Sequence, residues 1–136
     1  AIKKNLPIKI FNKGKMFRDF TYIDDVVDAV VKISKKKPKP VKNTRNKILK
    51  PNVSFVPYKI FNVGNNKPIS LERYINLIEK TLNKKAIRNY LSMQKGDVKY
   101  THANISSINS WINFKPITNI EKGIKLFIEW YNSFYK

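Results

Sequence analysis

The stretch from Lys15 to Val31, Lys-Met-Phe-Arg-Asp-Phe-Thr-Tyr-Ile-Asp-Asp-Val-Val-Asp-Ala-Val-Val, constrains the fold more than any other part of the chain. Met16 to Ile23 reads as an extended run. Arg18 stands between Met16 and Phe20 on one face of that run, where desolvation of a guanidinium demands an anionic partner. Asp19 and a ligand phosphate are the two candidates. At Asp24 the pattern becomes helical and continues to about Ser34. Asp24 is placed to cap the first amides, and Asp25 and Asp28 lie where the helix dipole favours negative charge. Val26, Val27, Val30, Val31 and Ile33 spread beyond one narrow stripe, which predicts burial on two sides against a large partner such as a sheet.

Before this stretch, Ala1 to Asn5 reads as the tail of a helix, and the absence of an initiating methionine suggests that the chain begins inside something larger. Pro7 opens a strand, Ile8-Lys9-Ile10-Phe11, and Asn12-Lys13-Gly14-Lys15 is turn chemistry with Gly14 free to take positive φ. After the valine helix, Lys35 to Lys50 carries eight basic residues, two prolines and no acid, so residues 35–57 read as a basic connecting loop. Tyr58 to Val63 reads as a buried strand, and Gly64-Asn65-Asn66-Lys67-Pro68 as a turn. Ser70 caps a helix with a regular stripe of Leu71, Tyr74, Ile75, Ile78 and Leu82. Ala86 to Leu91 is a further strand, Met93 to Val98 a polar turn, and helices follow around Ile105–Ile112 and Ile120–Tyr135. Both aromatic-rich closing helices read as packing elements. The order describes an α/β chain in which residues 1–136 make one unit.

At 136 residues, with 42% hydrophobic residues, such a chain has enough apolar surface for a core despite a formal net charge of +19. The positive charge raises the possibility of a nucleic-acid-binding module. Of the 28 basic residues, however, 24 are lysine and four arginine, and phosphate and base recognition favour the arginine fork. Solvated surface lysines are the preferred explanation. With no cysteine and one histidine, His102, neither a disulfide nor a zinc site is expected. No apolar run reaches the length of a membrane span and no signal-peptide pattern opens the chain, so a cytoplasmic setting without membrane partners is expected.

A self-contained active site is not evident. The glycines, at 14, 64, 96 and 123, form neither the dinucleotide fingerprint nor a P-loop, and no tyrosine is followed four residues later by lysine. His102 has no serine or cysteine nucleophile in a recognisable motif. No catalytic, cofactor-binding or metal-binding residue is assigned.

Three segments taken together resemble a known family. Gly14-Lys15-Met16-Phe17-Arg18-Asp19-Phe20-Thr21-Tyr22-Ile23-Asp24-Asp25-Val26-Val27, Tyr58-Lys59-Ile60-Phe61-Asn62-Val63-Gly64-Asn65 and Met93-Gln94-Lys95-Gly96-Asp97-Val98 resemble the C-terminal part of the NAD-dependent epimerase/dehydratase family. These are extended short-chain dehydrogenases acting on nucleotide sugars, and the wording is most similar to UDP-glucuronate 4-epimerases. The resemblance implies a C-terminal, UDP-sugar-binding portion of a Rossmann-type fold. The NAD-binding N-terminal half would be missing and would be the partner of this portion, and the full-length enzyme would be a homodimer in polysaccharide biosynthesis. The reaction it implies is transient oxidation of UDP-glucuronate at C4 by NAD, giving UDP-galacturonate on return of the hydride, with the segment alone inactive. A dehydratase or decarboxylase on the same fold is the alternative within the family.

Residue by residue, the resemblance gives Arg18 the role of binding the nucleotide diphosphate. It places Lys9 and Phe11 beside the uracil, and Gln94, Asp97 and Thr101 at the ribose and phosphate end. Many relatives carry arginine where Gln94 stands and tyrosine where Thr101 stands. Asp24 and Asp25 remain helix-capping residues.

Overall fold

The computed structural model describes residues 1–41 and 51–135. Residues 42–50, within the basic connecting loop read from the sequence, lie outside the described residues. Strand β1 (Pro7–Ile10) runs into a tight turn at Phe11–Gly14, where Asn12, Lys13 and Gly14 all take positive φ. Gly14 is required there. Its φ is +76°, and a Cβ would run into the carboxylate of Glu72. The short β2 (Phe17–Arg18) follows, then α1 (Ile23–Ser34), β3 (Ile69–Ser70), α2 (Leu71–Leu82), β4 (Ile87–Tyr90), α3 (Ser106–Ile112) and α4 (Ile120–Phe134).

The two extended runs near the start do not pair with each other. β1 pairs in parallel with β4, Pro7 opposite Ile87 and Ile10 opposite Tyr90, across a crossover that contains α1 and α2. β2 pairs antiparallel with β3, Phe17 opposite Ser70. A parallel pair with a helical crossover is the connection from which α/β folds are built.

Helix α2 forms as its sequence dictates. The Ser70 hydroxyl accepts from the Arg73 amide at 3.2 Å, and Asn83 ends the helix in the left-handed region. Ile75 of α2 and Ile124 and Ile128 of α4 are buried where these helices pack. A second cluster joins Ala29 of α1 to Ile108 and Phe114, with Phe61 and Val63 packed against it.

Several expectations are corrected. Helix α1 is buried on one side only: Ala29 is inaccessible, whereas Ile23, Val27, Val30 and Val31 are exposed. Tyr22 occupies the position before the first turn and offers no side-chain cap, so Asp24 is not the cap. Asp25 is buried and accepts from the Ile117 and Thr118 amides at 3.3 and 3.1 Å, which makes it a tie to the loop before α4. Residues 58–63 form no ladder strand. They hold one bridge, Lys59 to Val53, while Phe61 and Val63 use their side chains on the Ile108 cluster. Phe127, Trp130 and Phe134 of α4 stand largely exposed, stacking on one another along the helix.

The expectation of a C-terminal remnant is also corrected. Among the described residues a parallel strand pair and four helices, with their own buried clusters, make an α/β arrangement present in the chain itself. Among the described residues no helix is long and apolar enough to cross a membrane.

Candidate functional site

Strand β2 is only two residues long, yet three segments converge on it. The Phe17 amide donates to the Lys99 carbonyl at 2.9 Å, and the Thr101 amide donates to the Phe17 carbonyl at 3.2 Å. Residues 99–101 therefore lie alongside β2 on the side not taken by β3. Just before them, the Asp97 amide donates to the Gln94 carbonyl at 3.2 Å, closing a turn in which Gly96 has φ +80°.

This arrangement settles the partner of Arg18 within the chain. One terminal nitrogen of its guanidinium donates to Asp97 Oδ1 at 2.8 Å, and the other donates to the Phe17 carbonyl at 2.8 Å. The two side chains are 24% and 32% exposed, so the pair lies partly desolvated at the surface with guanidinium still facing solvent. Asp97 Oδ1 also accepts from the Val98 amide at 2.8 Å, which fixes the carboxylate that holds the arginine.

Asp19 has a different task from the ion pair the sequence offered. Its carboxylate accepts from the amides of Asn66 at 3.0 Å, Lys67 at 3.3 Å and Ala103 at 3.0 Å. Its own amide donates to Thr101 Oγ1 at 3.2 Å. Gly64 is buried beside it, and a Cβ there would collide with the Ala103 methyl and come within 3.0 Å of Asp19 Oδ2. A cavity of 390 Å³ opens at this junction, lined by Asp19, Phe61, Gly64, Thr101 and His102 among others. His102 Nε2 meets Asn66 Oδ1 at 2.6 Å on the rim.

Of the residues singled out in the sequence, Arg18, Asp97 and Thr101 are brought together around β2. Gln94 contributes its carbonyl to the turn below Asp97, and its side chain is exposed. Lys9 is exposed on β1 opposite Asn89, and Phe11 is half-buried at the entry to the tight turn. Among the described residues no hydrogen bond or ion pair joins Lys9 or Phe11 to Arg18. β1 and its following turn are tied instead to the end of β4, the Leu91 amide donating to the Ile10 carbonyl at 2.8 Å and the Lys13 amide to the Leu91 carbonyl at 3.0 Å.

The framework behind the site rests on a cluster the sequence reading missed. Glu79 of α2 is 4% exposed and accepts from the Ala86 amide at 3.0 Å, from Arg88 and from Lys85. The Ala86 amide, with Arg88 and Lys85 beside it, holds the Glu79 carboxyl down at about 2 against the opposing effect of burial. Arg88 also reaches Glu72 at 2.7 Å and Asn76 at 2.6 Å. The glutamates at 72 and 79, seven apart on one helix face, with an arginine in the next strand, were the available signal.

Comparison with known proteins follows the same segments. The model of the NAD dependent epimerase/dehydratase family matches residues 1–64. Protein CapI of Staphylococcus aureus is 41% identical over 136 residues, covering 100% of this chain and 41% of its own length. UDP-glucuronate 4-epimerase 1 of Arabidopsis thaliana is 38% identical over 138 residues, covering 98% of this chain and 31% of its own. The crystal structure of UDP-glucuronic acid 4-epimerase from Bacillus cereus, in complex with UDP-glucuronic acid and NAD, superposes with a TM-score of 0.78 at 25% identity. That match covers 98% of this chain and 37% of the other. The chain thus spans about two-fifths of the length of the first of these relatives.

These matches correct the division of labour read from the sequence. The likeness to an NAD-bound structure runs through nearly all of this α/β chain. The assignment of NAD and of the Rossmann architecture to a separate missing half, acting as this chain's partner, is therefore not retained. Nor is the description of the chain as merely the UDP-sugar-binding half. The glycines do not themselves make a dinucleotide turn: Gly14 and Gly64 are buried against neighbouring side chains, Gly123 lies inside α4, and Gly96 stands in an open turn. Over nearly its whole length the chain is similar to UDP-glucuronate 4-epimerases, and its first 64 residues match the NAD dependent epimerase/dehydratase family.

Proposed function

We propose that this chain acts within an NAD-dependent nucleotide-sugar 4-epimerase, with UDP-glucuronate as the favoured substrate. In this reading the site around β2 binds the nucleotide portion of the substrate. The observation that carries it is the Arg18–Asp97 pair: a partly exposed guanidinium held in place by a fixed carboxylate and a carbonyl, on the segments similar to UDP-glucuronate 4-epimerases.

The chemistry follows from the residues. Arg18 presents donors to the diphosphate, and a charge-assisted hydrogen bond of this kind is worth about 1.5–3 kcal/mol. Asp97, an acceptor, is suited to sugar hydroxyls, and Thr101 Oγ1 and the exposed Gln94 amide add neutral polar groups at the same end. Lys9 and Phe11, on β1 and its following turn, are proposed to flank the base. The chain holds no Tyr-x-x-x-Lys pair, so the role proposed for these residues is to hold and orient the nucleotide, and the chain alone is proposed to turn over no sugar nucleotide.

Calorimetric titration with UDP and with uridine tests the reading. UDP is expected to bind more tightly than uridine, and Arg18→Ala is expected to weaken UDP by about tenfold or more. Equal UDP affinity in wild type and Arg18→Ala would remove Arg18 from the site.

A further inference from the structure

We infer that Asp19 is the positioning residue of the anion site, acting on Arg18 through the backbone rather than through charge. The inference rests on the reading of Arg18 as the diphosphate anchor. The geometry singles out Asp19 because its hydrogen bonds reach both flanks of β2, the turn before β3 on one side and residues 101–103 on the other. Its carboxylate gathers the amides of Asn66 and Lys67 from the turn before β3 and the amide of Ala103 from the segment after Asp97. Its amide, one residue after Arg18, is held by Thr101 Oγ1 at 3.2 Å.

The arrangement is cross-braced. Residues 99–101 are aligned on Phe17 by two backbone hydrogen bonds, and Asp19 fixes the same segment two residues later at Ala103. These attachments hold residues 99–103 in register along β2, and Asp97, two residues before Lys99, is thereby kept opposite Arg18. On the other edge, the amides of Asn66 and Lys67 lock the approach to β3, whose Ile69 pairs with Arg18. Gly64 allows this closeness, since any larger residue would push Ala103 or the Asp19 carboxylate aside. Asp19 does not bond Arg18 among the described contacts, and it has no need to face the ligand. Its three acceptor contacts use the carboxylate to satisfy amides that would otherwise lie unpaired in the turns.

The test compares the affinity ratio for UDP over uridine in the wild-type chain, Arg18→Ala and Asp19→Asn, with thermal unfolding followed in parallel. Asparagine can put its one acceptor oxygen where Oδ2 receives the Asn66 and Ala103 amides, but its NH2 then faces the Lys67 amide, donor against donor, and all three contacts lose the carboxylate's charge. The expected result is a roughly tenfold fall in the ratio for Asp19→Asn with uridine affinity retained, less than the ~100-fold that an ångström of misplacement costs. An unchanged ratio overturns the inference, and so does a parallel loss of UDP and uridine, which marks a structural role only. If Arg18→Ala lowers the ratio and Asp19→Asn does not, the anchor reading stands and the inference alone fails. If the wild-type chain shows no preference for UDP, both fail. Should Asp19→Asn not fold, Gly64→Ala decides by the same ratio: a fall supports the inference, and an unchanged ratio or a second loss of folding overturns it.

Discussion

Replacing Glu79 by glutamine probes the framework on which the site is built. The carboxylate is 4% exposed and accepts from Ala86, Lys85 and Arg88, the last at 2.9 and 3.2 Å. Holding it at about 2 instead of the ordinary 4.5 corresponds to about 3 kcal/mol of stability at neutral pH. An independent route gives the same scale. Breaking a buried ion pair costs ~3–5 kcal/mol, and Arg88 would keep Glu72 and Asn76, which places the loss at the lower end. Because the folded-state value is depressed, this stabilisation is fully present above the unfolded value near 4.5 and is lost as pH falls towards 2. Urea unfolding of wild type and Glu79→Gln at pH 7 and at stepped lower pH measures it. The expected difference is about 3 kcal/mol at pH 7, shrinking below pH 4.5 with no change in the denaturant slope. A difference under about 0.5 kcal/mol, the scale of an ordinary surface substitution, or one that does not vary with pH, would refute the reasoning.

Asp25→Ala should destabilise the chain by about 1–3 kcal/mol, since it orphans the Thr118 amide in a buried place and removes the acceptor of the more accessible Ile117 amide, and differential scanning calorimetry will show the fall in Tm. Val30→Thr should change stability by less than about 0.5 kcal/mol because Val30 is 57% exposed, whereas a residue buried between α1 and a partner would show a larger loss in the same unfolding curves. Gly14→Ala should cost more than about 1 kcal/mol, the left-handed backbone adding to the collision with Glu72, and a neutral result in urea would contradict the tight-turn geometry.

Local signals in the sequence reached the helices and missed what lies between them. Ser70 announced α2 because capping is written in adjacent residues, and the stripe from Leu71 to Leu82 needed only the helical period. The valines of α1 stand exposed within this chain because hydrophobicity marks a preference for burial and does not supply the surface that buries it. Residues 58–63 had strand composition, yet strand formation depends on an edge being offered, and Phe61 and Val63 found a helix instead. At the site, Arg18 was recognisable as needing an anion. Asp97, the partner it finds in the chain, lies 79 residues away and was neither of the two candidates; it is brought in by the bridge from Phe17 to Tyr100, which no neighbouring residue encodes. Asp19 was read by its charge, although what it supplies is acceptor geometry for amides in two distant turns.

The parallel pairing of β1 with β4 has a consequence for how the chain comes into being. Pro7 faces Ile87, eighty residues later, and a ribosome adding about 5–20 residues each second needs roughly 4–16 s to deliver that partner. Throughout that interval β1 lacks its β4 ladder, and the turn that follows it lacks the Leu91 carbonyl that receives the Lys13 amide. Synthesis is thus a waiting problem: once made, this strand stays open to the wrong partner until about eighty further residues have been added.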